Sequence, residues 1–138
     1  MAQVSRVLFY LIAIWCIATG FRSQTISSAE DLPWIADAMA GSNLEAFNAI
    51  LSIWAGWVGM LLITAAVALL IVLTRLPVNK NSLLIAGVLS IGAVTAQSYS
   101  VLSLGAYGPV TYALYCTPVL AILATILGFF TLKNESDT

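Results

Sequence analysis

At 138 residues, 61% of them hydrophobic and 8% charged, the chain has room for one domain and too little charge for a soluble one, in which about a quarter of residues are charged. A net charge of −1, with five Lys/Arg in all, excludes a phosphate-tracking groove, so no nucleic-acid partner is expected. The sequence holds no histidine and two cysteines, Cys16 and Cys116, which excludes His-ligated haem, His-carboxylate di-iron sites, most zinc sites and CxxC redox chemistry, so no metal and no cofactor is expected.

Four apolar stretches each approach the ~20 residues needed to cross a ~30 Å hydrocarbon core. They predict an all-α membrane protein: a single four-transmembrane-helix bundle over 1–138, with helices near 4–22, 43–75, 81–104 and 109–132. The first stretch, Val4 to Gly20, has one basic residue, Arg6, and an apolar run from Val7 to Ala18. It has the look of a signal peptide, but it is expected to remain as a membrane helix.

The loop from Ser23 to Ser42 carries Glu30, Asp31 and Asp37. Within it Leu32, Ile35, Ala36 and Met39 recur at helical spacing. Ser28 or Asp31 is placed to cap a helix there, Pro33 suits a first turn, and Gly41 suits its end. A short amphipathic helix over about 31–40 is therefore expected to lie on the outer surface, as a solvated connector or as a lid.

The second helix opens on Ser42-Asn43-Leu44-Glu45, the pattern of a capping box. From Asn43 to Arg75 it should measure about 48 Å at 1.5 Å per residue, more than the membrane needs. Trp54 and Trp57 then fall at the outer headgroup level, where tryptophan is favoured. Asn48, Ser52, Ala55, Gly59 and Ala66 share one narrow arc, with Phe47, Ile50 and Trp54 roughly opposite. Ser52, Ala55, Gly56 and Gly59 are the expected helix-packing residues, since small side chains let membrane helices approach closely.

Helices three and four hold few polar residues in their inner halves. At the outer end stand Gln97, Ser98, Tyr99, Ser100 and Ser103, then Tyr107, Thr111, Tyr112 and Tyr115. An unsatisfied amide in hydrocarbon costs several kcal/mol, so Gln97 must find a partner or water. Pro118 removes a backbone bond from helix four and should kink it. One reading is an aromatic belt with serines bonded to their own backbone. The sharper reading is a cleft between the outer ends of helices two, three and four, roofed by the loop helix. In it Gln97 is the deepest polar group, Ser100, Thr111 and Tyr115 line the walls, and Asn48 closes the rim. Such walls carry neutral groups and no charge, which suits a mostly apolar ligand with one polar head.

Arg6, Arg75, Lys80 and Lys133 fall on one side of the four stretches and Arg22 on the other. The positive-inside rule then puts both termini in the cytoplasm. The acceptor pattern Asn134-Glu135-Ser136 would lie on that side too, so glycosylation there is discounted.

From Asn43 to Ile63 the sequence resembles the second helix of the DoxX-like superfamily, small four-helix bacterial membrane proteins. The resemblance rests on Phe47, Ala49-Ile50, Ala55-Gly56 and Gly59 before an apolar run. It implies a four-helix fold and a bacterial inner membrane, and no activity.

The expected function is non-catalytic: an accessory subunit, or a binder of an apolar lipid- or isoprenoid-like ligand at the outer leaflet. Its partners are then membrane lipids, other membrane subunits or that ligand. An outer-leaflet enzyme would have to draw on Glu30, Asp31, Asp37, Glu45 and the tyrosines. A small transporter normally holds ionisable groups inside the membrane, and none of the four stretches contains a charged residue after its first turn.

Overall fold

The computed structural model describes residues 2–32, 44–104 and 108–136. Four helices account for nearly all of them: α1 (Ala2–Gln24), α2 (Leu44–Arg75), α3 (Lys80–Ser103) and α4 (Pro109–Ser136). Each contains a segment long and apolar enough to cross a membrane. They form a four-helix bundle in which α1 and α3 stand on one diagonal, with α1–α2 and α3–α4 the most extensive interfaces.

The side chains are sorted opposite to those of a water-soluble bundle. Ser5, Ser82, Ser90, Gln97 and Ser98 are buried, while Ile50, Trp57, Leu61 and Val88 lie on the surface, each about two-thirds exposed. Such a surface is compatible with lipid as solvent, where apolar exposure carries no penalty and polar groups must pair internally.

In α2 the buried residues are Leu51, Ala55, Gly59, Leu62, Ala66, Leu69 and Leu73, a stripe at helical spacing. Its small members meet α1. A Cβ added to Gly59 would lie 2.7 Å from the Gly20 carbonyl oxygen, and one added to Gly20 would lie 3.0 Å from that of Gly59. Only a mutual pair of glycines allows this approach. Ala55 is fully buried beside it. Two other expected packing residues correct the sequence reading. Ser52 is exposed, and a Cβ on Gly56 would meet nothing within 4 Å. Ser52 lies beyond the point where α1 stops at Gln24, whose Nε2 donates to the Gly56 carbonyl oxygen at 2.8 Å, and Gly56 is turned about 60° away from Gly59 on the helix. Above that level α2 has no α1 alongside it.

Polar side chains join the helices by donating to backbone carbonyls. Ser5 Oγ reaches Ala124 O at 2.7 Å and Ser23 Oγ reaches Ala55 O at 2.6 Å. Arg6 Nη2 bonds Leu73 O at 3.0 Å, satisfying one of the last carbonyls of α2 with a cation at the negative end of its dipole. Ser98 Oγ donates to Leu114 O at 2.6 Å. Leu114 is the residue four before Pro118, so its carbonyl lacks the usual intrahelical donor. The helix runs on through Pro118 with that carbonyl satisfied from α3.

Between α2 and α3 the chain turns in four residues. Asn79 caps α3 in a reciprocal box with Ser82, Ser82 N donating to Asn79 Oδ1 at 2.8 Å and Asn79 N to Ser82 Oγ at 3.1 Å. After α1, Ala29–Asp31 forms one 3-10 turn. Asp31 closes that turn. The rest of the expected loop helix, and Ser42 of the expected capping box, lie outside the described residues.

Candidate ligand-binding cavity

The two ends of the bundle are packed differently. Toward the Leu76–Asn79 turn the centre is filled by Phe9, Ile12, Ala13, Leu69, Leu73, Leu83, Ala86 and Ala124, all at most 5% exposed. Toward the long loop the centre opens into a cavity of about 590 Å³, a size ordinary for a small-molecule site. All four helices wall it. Trp15 and Thr19 come from α1, Trp54, Val58 and Leu62 from α2, Gln97 and Val101 from α3, and Val110, Ala113 and Leu114 from α4. Arg22, Ser23, Ile26, Asp31 and Leu32 complete it on the loop side.

Gln97 sits at the buried end, 7% exposed. Its Oε1 accepts a hydrogen bond from Trp15 Nε1 at 3.0 Å, across the α1–α3 diagonal. An indole N–H is a donor only, so the atom that meets it has to be the amide oxygen. The bond therefore fixes which way the amide faces. Its NH2 group has no hydrogen-bond partner among the described residues.

The other polar groups of the wall are already engaged. Thr19 Oγ1 donates to Trp15 O at 2.7 Å, and Ser23 Oγ to Ala55 O. Arg22 donates from Nη1 to Thr25 Oγ1 at 3.0 Å and from Nη2 to the Asp31 carbonyl oxygen at 3.3 Å. The Asp31 carboxylate accepts from Ser27 N at 2.8 Å, Ser28 N at 3.1 Å and Ser27 Oγ at 3.2 Å. The backbone N–H of Ser27, then that of Ser28, hold its pKa below the ordinary value, because they favour the charged form.

Of the five expected ligand residues, Gln97 alone lines the cavity. Ser100 stands three positions on, turned about 60° to one side of Gln97 at 100° per residue; Val101, at the fourth position, faces the cavity in its place. Tyr115 is 61% exposed, one position past the inward Leu114 and so a quarter-turn outward. Thr111 and Asn48 are half-buried and do not line the cavity. Trp54 lines the cavity and packs with Ile26 and Leu32 against Leu51. Trp57 remains on the surface. Two features of the expected cleft change. Helix α1 is one of its walls, and its rim carries one charge of each sign, Arg22 and Asp31.

The residues that sequence reasoning missed are Trp15, Thr19, Arg22 and Ser23. For Trp15 a signal existed, since a tryptophan deep in a membrane helix needs a partner for its N–H. Among the described residues no three His, Cys, Asp or Glu are grouped to hold a metal, and Cys16 and Cys116 are both free. No protein-family model, curated protein or solved structure matches the chain.

Proposed function

We propose that this is an integral membrane protein that binds an apolar, lipid- or isoprenoid-like molecule in the long-loop cavity and catalyses no reaction on it. The observation that carries the reading is the cavity itself. It is an apolar chamber of about 590 Å³ with one oriented amide at its buried end and charges only at its rim. A bundle that needed only to span a membrane could fill this end as it fills the other. At Gly59 the small-residue face of α2, which a partner subunit could have used, is occupied by α1 of the same chain, so that part of it lends no support to an accessory role.

The distribution of Lys and Arg supports cytoplasmic termini and an outward-facing loop, which sets the cavity at the outer leaflet. Kinship with the DoxX-like superfamily and residence in a bacterial inner membrane are part of the same proposal. A reporter active only outside the cytoplasm, fused after Thr138, should be silent.

The ligand is tested by purification in mild detergent and mass spectrometry of the organic extract. The wild type should retain an apolar species at near-stoichiometric level, and Ala113→Phe, which puts a ring into the chamber, should lose it. Identical extracts from the two proteins would refute the reading.

A further inference from the structure

The geometry points to the kind of molecule the cavity takes: a compact, ring-bearing body with a neutral carbonyl oxygen at its deep end, bonded to the NH2 group of Gln97. This rests on the cavity being a ligand site, and it concerns shape and polarity within that site.

Shape follows from volume and depth. At ~30 Å³ per methylene-sized group, the share one water takes of the liquid, a cavity of about 590 Å³ holds roughly 20 non-hydrogen atoms. Its depth is set by α1, which contributes Arg22 at the rim and Trp15 at the floor, about 10 Å apart at 1.5 Å per residue. An extended chain advances roughly 1.2 Å per bond, judged from three-bond peptide units of about 3.6 Å. One chain therefore places about eight methylenes in that depth and fills about 250 Å³, less than half the space. Two parallel chains would fill it, but they would press methyl ends against the Gln97 amide and leave its donors buried without acceptors. A fused-ring or branched body of similar width fills the same space and can end in an oxygen.

Polarity follows from what is already engaged. The hydroxyls of Thr19 and Ser23 donate hydrogen bonds to backbone carbonyls, and the indole N–H of Trp15 donates to Gln97. The free side-chain donor at the buried end is the Gln97 NH2 group, so the deep end of the ligand is a hydrogen-bond acceptor. It is neutral, because Arg22 and Asp31 lie a cavity's length away and a carboxylate at the floor would be desolvated without a counter-charge. An acceptor with no proton of its own leaves no ligand donor to be satisfied at the floor, whereas a hydroxyl would have to share Gln97 Oε1 with the indole N–H. A ketone-type carbonyl meets each condition.

Three probes separate the terms: fluorenone, with rings and a carbonyl; fluorene, with rings alone; and methyl palmitate, with a carbonyl on a chain. Their binding to the full chain in mild detergent is measured by calorimetry. Fluorenone should bind about five- to tenfold more tightly than fluorene, the worth of one neutral hydrogen bond, and more tightly than methyl palmitate. Gln97→Leu should bring fluorenone down to fluorene and leave fluorene unchanged. Trp15→Phe, which frees the amide to turn, should narrow the gap and serves if Gln97→Leu fails to fold. Equal binding of fluorenone and fluorene to the wild type overturns the carbonyl, and equal binding of methyl palmitate overturns the ring. Ala113→Phe should abolish binding of both ring probes. If it leaves them untouched, the cavity is not the ligand site and the functional reading fails with this one. Loss in Ala113→Phe with no preference among the probes would overturn the present inference alone.

Discussion

The filled and hollow ends of this bundle are built from the same four helices and the same residue types. Leu69 and Leu62 show the contrast. Both lie on the buried stripe of α2, at 2% and 3% exposed. Both belong to one buried cluster with Phe9, Leu73 and Ala86, but Leu62 borders the cavity and Leu69 does not. Burial measures only the absence of solvent. It does not say whether a side chain is gripped, and dispersion depends on having atoms on every side.

The strongest test of how the helices are joined is Gly59→Leu. The added side chain meets the Gly20 backbone, which cannot move without parting α1 from α2, and thermal stability in detergent should fall by about 3 kcal/mol or more. Gly56→Ala, one turn higher with open space around it, should change little. A large loss there would show that the overhang of α2 is held by contacts other than α1.

Next in size is the leucine pair. Leu69→Ala should cost about 2 kcal/mol through the void it leaves, toward the lower end of the range for soluble cores, because lipid removes most of the transfer term. Leu62→Ala only enlarges an existing space and should cost under about 1 kcal/mol. Equal losses, read by thermal unfolding, would mean that the hollow end is packed as tightly as the other in solution.

How legible was all this in the sequence? Four helices could be read because an apolar run of membrane length has few other uses. Gln97 could be found because an amide at that depth demands a partner. Rotation could not be read. At the outer end polar residues occur on every side of α3 and α4, so polarity does not say which side turns inward, and Ser100 and Tyr115 fall outside the wall that their sequence positions suggest. Arg22 is legible as the last residue of the first helix, but its place at the cavity rim depends on the turn that follows α1 and so does not show in the sequence. Ser98 could have been suspected from Pro118, whose missing N–H leaves the Leu114 carbonyl in need of a donor. The register between α3 and α4 that brings them together appears only in three dimensions.

That pairing gives a smaller test. Ser98→Ala should cost roughly 1–2 kcal/mol by orphaning the Leu114 carbonyl. In a Pro118→Ala background the helix supplies its own donor, so the same substitution should cost much less. A double-mutant cycle with no coupling would show that the two are neighbours without being partners.

The smallest expected effect is on pH. Asp31 is held below its ordinary pKa of 3.8 by the Ser27 and Ser28 N–H groups. Its contribution to the Ala29–Asp31 turn is therefore complete above about pH 4, the unfolded value. It is lost as pH falls through the lower folded value. In Asp31→Asn this acid-side loosening at the cavity rim, followed by amide exchange of Ser27 and Ser28, should be absent.

The overhang of α2 has a consequence for where the cavity sits. At 32 residues the helix is about 48 Å long, against a hydrocarbon core of ~30 Å, and its first turns rise beyond the end of α1. In the proposed orientation a bilayer can meet this helix at more than one height, by tilt or by local thickening. A thin membrane leaves the cavity mouth among headgroups, open to molecules arriving from water. A thick one draws the mouth down toward the acyl chains, so that its ligand arrives sideways from lipid. Membrane thickness thereby becomes a control on access, set by a length mismatch with no moving part. Binding measured in nanodiscs of short- and long-chain lipids would display it as a change in on-rate at constant cavity chemistry.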